Sequence, residues 1–406
     1  MSQTRVQLIE DGHVVNADLA SNAVTTAKVA DDAITLAKLS ATGTPSSSTF
    51  LRGDNSFQSV PAGAGKARNV LINGDFQIAQ RATSSTNNNY GSVDRWTCQQ
   101  GGLDEACTQA QVDVASGTSP YGEGFRKAWK ITNGNQTSGA GAADYIEIYQ
   151  YVEGHTMANC GWDYKNSNSK MTLSFWIKSS VAQKFAGFLY TTNTNGTSVH
   201  YMYDYSIDNG GSNLTADTWT KITHTFPGNS NLNITDGTGY GLGFGIYPFQ
   251  GTNFTTSRSP SQAWQTWDTA NKVPDMTSTW YTTNDATLEI TGVQLEVGDE
   301  ATDFEHRSRQ EEIALCHRYF YIYGFSEHNS DGDIEINFIP ADMRVLPTVT
   351  RLGNVMFGGE SSTAVTAIYN NAGYTVPGQP GSNLILRCIN SSDANCGGCY
   401  SFNAEL

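Results

Sequence analysis

Positive charge is scarce in this chain. Its 406 residues carry 24 Lys and Arg against 39 Asp and Glu, a formal net charge of −15. Nucleic acid and anionic membrane both call for a basic footprint, so neither is an expected partner. Charge of either sign is thin, at 16% of residues against a usual value of about 25%. No apolar run approaches the roughly 18 residues of a membrane span, so no membrane insertion is expected. Met1 to Gly12 lacks the apolar stretch of a secretory signal. The seven cysteines are odd in number and scattered from Cys98 to Cys399, which is not a disulfide framework in so long a chain. Mostly reduced thiols, in a protein folded in a cytoplasm, are expected. Cys388, Cys396 and Cys399 form the one local cluster; a lone close pair with an outlier is weak for zinc, and a local disulfide stands as the other reading.

What fills the gap is Gly, Asn, Ser and Thr between aromatic and β-branched residues. There are 40 glycines, and aromatics reach 11% of the chain. Disordered chains are poor in aromatics, and long helices want Ala, Leu, Glu and Lys. The mixture here belongs to short strands and many turns.

Along the chain, Val14, Leu19, Val24, Val29, Ile34 and Leu39 recur every five residues. That period fits neither an α-helix nor a heptad coiled coil. Each repeat offers too little apolar surface for a core, so copies of the chain are expected to intertwine into a thin shaft, as a homotrimer. Phe50 to Phe57 reads as a tight hairpin turning at Gly53-Asp54-Asn55. From about 66 to 305 the text is all-β. Leu173, Phe175 and Ile177 alternate with Ser174, Trp176 and Lys178, and Trp176 is either a second core layer or a surface ring. Gly237 to Gly245 alternates glycine with Tyr240, Leu242 and Phe244. This gives a strand with one bare face, open to close approach of a sheet, chain or ligand; packing is the expected use. A short helix within 307–318 and a smaller set of strands to the C-terminus follow.

The lines 68–81 (opening Arg68-Asn69-Val70-Leu71-Ile72-Asn73-Gly74-Asp75-Phe76), Val93-Asp94-Arg95-Trp96, 173–178, 290–298 (Ile290-Thr291-Gly292-Val293-Gln294-Leu295-Glu296-Val297-Gly298), 301–305, Glu312-Ile313-Ala314-Leu315-Cys316-His317-Arg318-Tyr319-Phe320, 343–349 and Ala404-Glu405-Leu406 together resemble tail-fibre and receptor-binding proteins of bacteriophages, in particular of marine phages and cyanophages. The resemblance implies a mostly β chain. Residues 1–13 would anchor to a phage tail or another virion protein, and 14–61 would form the repeat shaft and hairpin. Residues 66–305 would be a central jelly-roll β-sandwich, and 306–406 a smaller C-terminal β-domain. It implies a virion protein, assembled in the host cytoplasm, that attaches to host surface polysaccharide or lipopolysaccharide. The Asn-Gly-Asp-Phe line is also similar to jelly-roll carbohydrate-binding modules, in which a Glu after the Phe helps hold a structural calcium. Here that place is Gln77, which leaves Asp75 and Glu289 as the nearby oxygens for such an ion.

Sugar rings pack their C–H faces on Trp and Tyr, and their hydroxyls pair with Asn, Asp, Gln and Arg. The expected glycan contacts are Tyr201, Tyr203 and Tyr205, which share one face of a strand, and Trp264, Trp267, Trp280 and Tyr281 in a turn-rich stretch. Hydrolysis of glycans requires two facing carboxylates. Asp144, Glu147, Glu153, Asp163 and Asp204 show no spacing that singles out a pair, so no enzyme activity is expected. Two rivals are a polysaccharide depolymerase and a structural decoration or collar protein without glycan affinity.

Overall fold

Strands of two to eleven residues, broken by Asn, Gly and Thr turns, build most of the regular structure among the described residues. A computed structural model describes residues 29, 38, 41–44, 49–53 and 55–59 of one compact unit, Met1–Pro61. In a second unit, Ala62–Leu406, it describes residues 69–192, 199–329, 334–338, 343–345, 347–353, 356–357, 360–361, 367–370, 384–388 and 394–405. The period-five repeat, Val29 aside, lies outside the described residues.

In the first unit, β1 (Thr49–Leu51) pairs antiparallel with β2 (Phe57–Ser59), Leu51 opposite Phe57. The Arg52 amide donates to the Ser56 carbonyl at 2.8 Å, and Asn55 takes the left-handed conformation that the turn requires, with φ 61°. The expected hairpin is there.

The second unit runs β3 (Ser84–Ser85), β4 (Thr97–Gly101), β5 (Thr108–Asp113), α1 (Ser119–Gly122), β6 (Lys127–Thr132), β7 (Tyr145–Glu153), α2 (Gly154–Asn159) and β8 (Lys170–Ser179). It continues with β9 (Phe185–Thr192), β10 (His200–Ile207), β11 (Thr220–Pro227), β12 (Tyr240–Gln250), β13 (Thr255–Thr256), β14 (Trp264–Thr266), β15 (Val273–Pro274), α3 (Thr279–Thr282), β16 (Thr287–Val297) and α4 (Arg309–His317). Twelve of these strands form two antiparallel sheets of six, and β13 and β15 make a short parallel pair of their own. Sheet A has the order β14-β10-β9-β12-β7-β4, and sheet B the order β11-β8-β16-β6-β5-β3. The chain passes back and forth between the sheets, which is how a jelly roll is wound. The class is mostly β, as the composition indicates.

The two sheets face each other across one apolar core. Sheet B contributes Leu173, Phe175 and Ile177 on β8 with Ile290 and Leu295 on β16; sheet A contributes Ile146 and Ile148 on β7 with Leu242, Phe244 and Ile246 on β12. Burying each such side chain is worth roughly 1.5–3 kcal/mol. Trp176 is also covered, in a second layer on the outer face of sheet B with Val114, Phe125 and Ala128, its indole N–H donating to Glu123 at 3.0 Å. That decides between the two readings of Trp176.

The opening and closing motifs meet as stitching. The Asn69 amide donates to the Val293 carbonyl at 2.9 Å, and its Oδ1 accepts from the Leu71 and Leu295 amides. The Asn73 side chain ties Ile78 and Asp94 together. A bulge in β16 between Thr291 and Gln294 lets Val293 donate its amide to Gly74. Gly292 makes that bulge with φ 64°, and a Cβ there would strike the Phe125 ring. These motif residues therefore hold the domain shut.

The chain then crosses α4, capped by Ser308 and Glu311 in a reciprocal box. It enters β17 (Phe320–Asn329), β18 (Ile334–Phe338), β19 (Thr348–Gly353), β20 (Met356–Phe357), β21 (Glu360–Ser361), β22 (Ala367–Asn370), β23 (Leu384–Cys388) and β24 (Ala394–Asn403). These pair as β17-β24-β19, β18-β23-β22 and β20-β21. The side chains of Cys388, Cys396 and Cys399 lie outside the described residues.

His224 on β11 gives a test of the edge of the sandwich. Its ring lies 4.5 Å from Tyr205 and its Nε2 meets the Ser206 carbonyl at 2.8 Å. Burial holds the imidazole below its ordinary 6.5, against weaker opposing pulls from the Ser206 carbonyl and Asp208. A depressed histidine is neutral in the native state, so its contribution is present above the unfolded pKa and lost as pH falls. The melting temperature is expected to fall more steeply between about pH 7 and about pH 5 in the parent than in His224→Gln. Equal slopes in calorimetry would contradict this.

Candidate functional site

The site is the outer face of sheet A. Alternation along β7 sends Ile146, Ile148 and Val152 into the core and Glu147, Tyr149 and Tyr151 outward. Phe188 and Tyr190 on β9 and Tyr247 on β12 share that outer layer with Met202 on β10. Between β7 and β9 runs β12, with Gly243 opposite both Tyr151 and Tyr190, and Gly245 opposite both Tyr149 and Phe188. The two glycines remove the side chains that would separate these rings. Tyr151 and Tyr190 reach a centroid distance of 6.4 Å across Gly243, and Tyr149 and Phe188 one of 6.5 Å across Gly245. A Cβ on Gly243 would sit 2.8 Å from the Tyr151 ring, and one on Gly245 only 2.4 Å from Phe188. The bare face of the glycine-rich strand is filled by aromatic rings.

The row extends at both ends. Tyr240, 42% exposed, lies 4.5 Å from Tyr151 at 33°. On the other side His200 stacks on Tyr190 at 5.4 Å and 25°, and Trp267 meets both edge-on, at 6.2 Å from Tyr190 and 6.4 Å from His200. Tyr151, Tyr190, His200 and Trp267 are all half-buried. Nδ1 of His200 is buried with no hydrogen-bond partner among the described residues. Burial pushes the Tyr190 hydroxyl up to about 12, with Tyr240 adding to the effect, and raises Tyr151 as well. Both phenols stay protonated and able to donate at any physiological pH.

One wall of the row is the segment 251–278, which arches over Met202 and Tyr247. Asp204, fully buried on β10, accepts from Arg258 at 2.9 Å, from the Ser261 amide and hydroxyl, and from Gln265 at 3.2 Å. Lys272 pairs with Glu147 at 2.6 Å and lies over the Phe254 ring. The wall carries Trp267, whose amide donates to the His200 carbonyl at 2.8 Å.

Of the seven aromatics expected from the sequence, Trp267 alone joins this row. Tyr201, Tyr203 and Tyr205 do share one face of β10, but it is the face turned to the core. Tyr203 packs on Phe226 and Trp264, Tyr205 on Phe226 and His224, and Tyr201 lies half-buried against the same cluster. The Tyr205 hydroxyl lacks a hydrogen-bond partner among the described residues, and Tyr205 lines a cavity of about 500 Å³ together with Lys184, Asp208, Asn213 and Met276. Trp264 is half-buried, its indole donating to the Pro227 carbonyl at 2.7 Å. Trp280 is fully buried and donates to the Thr287 carbonyl. Tyr281 stacks on Phe249 at 4.2 Å and donates to Asp144. Buried rings offer no face to a sugar, so Tyr203, Tyr205, Trp280 and Tyr281 are core residues rather than platforms.

The oxygens expected for calcium do not gather. Asp75 accepts from Gln77, and burial raises its carboxyl. Glu289 pairs with Lys178 at 2.9 Å. Calcium takes six to eight oxygens, and among the described residues no three His, Cys, Asp or Glu side chains cluster. Asp75 and Glu289 are thus engaged separately by Gln77 and Lys178, and Asp75 Oδ1 is buried without a hydrogen-bond partner among the described residues.

Tyr151, Tyr190, His200 and Tyr240 are not among the contacts expected from the sequence. The signal was available in Tyr145-Ile146-Glu147-Ile148-Tyr149-Gln150-Tyr151, where aromatic and polar residues occupy every odd position.

No protein-family model matches the chain, and no curated protein sequence matches it. Solved structures are similar at low scores. Bacteriophage CBA120 tailspike protein 4, in its enzymatically active domain, is 11% identical over 57% of this chain and 21% of that one, with a TM-score of 0.29. The present chain thus spans about a fifth of that domain. A putative sugar binding protein from Bacteroides thetaiotaomicron is 14% identical over 57% of this chain and all of that one, with a TM-score of 0.29. A family 11 carbohydrate-binding module from Clostridium thermocellum is 13% identical over 54% and 96%, with a TM-score of 0.25. At these scores the likeness assigns neither ligand nor activity to this chain, whose fold is defined by its own strand order and register.

A substitution tests the glycine floor. Gly243→Val is expected to push Tyr151 and Tyr190 apart while the core behind β12 stays packed. Near-parental melting with altered tyrosine fluorescence is the expected result; an unchanged ring environment would contradict the role given to Gly243.

Proposed function

We propose that this chain is a non-catalytic glycan-binding fibre protein of a virion, which uses the row Tyr240, Tyr151, Tyr190, His200 and Trp267 to hold host surface polysaccharide or lipopolysaccharide. The observation that carries the reading is the aromatic row laid across β7, β12 and β9 over Gly243. Rings of this kind give C–H faces of sugars something to pack on, while phenolic O–H groups pair with hydroxyls. The non-catalytic part is supported by the carboxylates. Asp144 is bound to Tyr281, Glu147 to Lys272, Glu153 to Arg318 and Asp204 to Arg258. Virion attachment and a trimer rest on the sequence repeats and on the phage-fibre resemblance. Three linked copies would turn weak sugar contacts into firm attachment through effective concentration.

The test is size-exclusion chromatography of the protein with purified bacterial capsular polysaccharide and lipopolysaccharide. Co-elution with polysaccharide of unchanged size is expected. A shift of the polysaccharide to smaller size would make the chain a depolymerase, and absence of co-elution across both glycan classes would overturn glycan binding.

A further inference from the structure

Cys98 lies on β4 of sheet A, and Cys107 directly precedes β5 of sheet B. Their Sγ atoms are 3.7 Å apart, and each residue is 1% exposed within the core that the two sheets share. The intervening segment is fixed at its end, since the Cys107 amide donates to Gln100 Oε1 at 2.7 Å. A disulfide has its sulfurs about 2.05 Å apart. The two thiols are thus already in van der Waals contact, and side-chain rotation with a small shift closes the gap.

We propose that Cys98 and Cys107 form a disulfide that staples sheet A to sheet B when the chain folds or opens in an oxidising medium. The oxidant is a small-molecule disulfide such as oxidised glutathione. One cysteine thiolate attacks it, forming a mixed disulfide and releasing one glutathione thiol. The second cysteine thiolate then attacks the mixed disulfide, forming the Cys98–Cys107 bond and releasing the second thiol. The protein loses two protons and two electrons, and glutathione takes them up. Burial keeps the pair out of reach in the closed native state, so the exchange is expected to be slow there and rapid during refolding. This proposal goes beyond glycan binding and does not depend on it.

The full chain is to be unfolded and refolded with oxidised glutathione, then denatured, alkylated with iodoacetamide and digested with trypsin. Residues 96–126 contain no internal Lys or Arg before Arg126, so both cysteines fall in one peptide. The expected peptide is two hydrogens lighter than the dithiol and carries no alkyl group; dithiothreitol before alkylation restores both sites. Reduction is expected to lower the melting temperature by about 5 °C, and in Cys107→Ala to leave it unchanged. Full alkylation at both sites after refolding, glutathione retained on either cysteine, or pairing with a different cysteine would overturn the proposal. The peptide mass decides the matter even where the variant fails to fold.

Discussion

Arg95→Ala lowers the melting temperature of the chain by roughly 10 °C. Arg95 is 1% exposed, and it pairs with Glu405, whose side chain is 4% exposed. Its guanidinium lies 3.4 Å over the Tyr319 ring and donates to the Tyr151 carbonyl at 2.6 Å. Arg81 joins from the side, 3.2 Å from Glu405 and 3.6 Å over the Phe320 ring. Arg344 grips the carbonyls of Ala404 and Glu405, each at 2.8 Å. The segment that follows β24 is thereby clamped onto the sandwich. Breaking a buried ion pair from one side costs about 3–5 kcal/mol, and because Glu405 keeps Arg81 at 3.2 Å the lower end of that range applies. Each kcal/mol moves the melting point by about 2–4 °C in a domain of this size. Replacing both partners by apolar residues, Arg95→Met with Glu405→Leu, is expected to recover most of the loss. Calorimetry checks both; a single variant within about 2 °C of the parent would contradict the clamp.

Alanine at Tyr190 abolishes detectable polysaccharide binding at parental concentrations, and alanine at Tyr151 or Trp267 weakens it. Tyr190 touches the row on both sides, with Tyr151 across Gly243 and His200 stacked beyond it. A central aromatic anchor in a binding site contributes about 2 kcal/mol or more, which is roughly thirtyfold in affinity. In the proposed trimer the effect would be larger, since a loss at each site would compound across linked copies. Tyr201→Phe, which leaves the core packing in place, is expected to bind like the parent. Equal binding by Tyr190→Ala and parent in a titration would remove the row from the site.

Much of the sandwich is legible in the sequence. The alternation Leu173, Phe175, Ile177 gave a strand with its apolar side named correctly, and the Gly53–Asn55 turn gave a hairpin. The site was less legible, for a physical reason visible at β10. Period-two alternation places Tyr201, Tyr203 and Tyr205 on one face, yet both faces of sheet A are covered in part, one by sheet B and one by the segment 251–278. Periodicity tells which residues share a face and is silent about which face is open. Glycines 243 and 245 make a bare floor, and over it meet Tyr151 with Tyr190 and Tyr149 with Phe188. Which rings fill it depends on register across three strands that are remote in sequence, β7, β9 and β12, and no local window contains that register. The opening and closing motifs, by contrast, serve the fold: Asn69 and Asn73 spend their hydrogen bonds on Val293, Leu295, Ile78 and Asp94.

Glycan held on the outer face of sheet A would shield the rings of that face from solvent. Oxidative footprinting of the full chain, with and without the polysaccharide that co-elutes with it, tests this most directly. Protection of Tyr151, Tyr190, Tyr240 and Trp267 is expected, with labelling of surface tyrosines elsewhere unchanged. Unchanged labelling of all four in the bound state, or protection confined to the cavity beside Lys184 and Asp208, would contradict it.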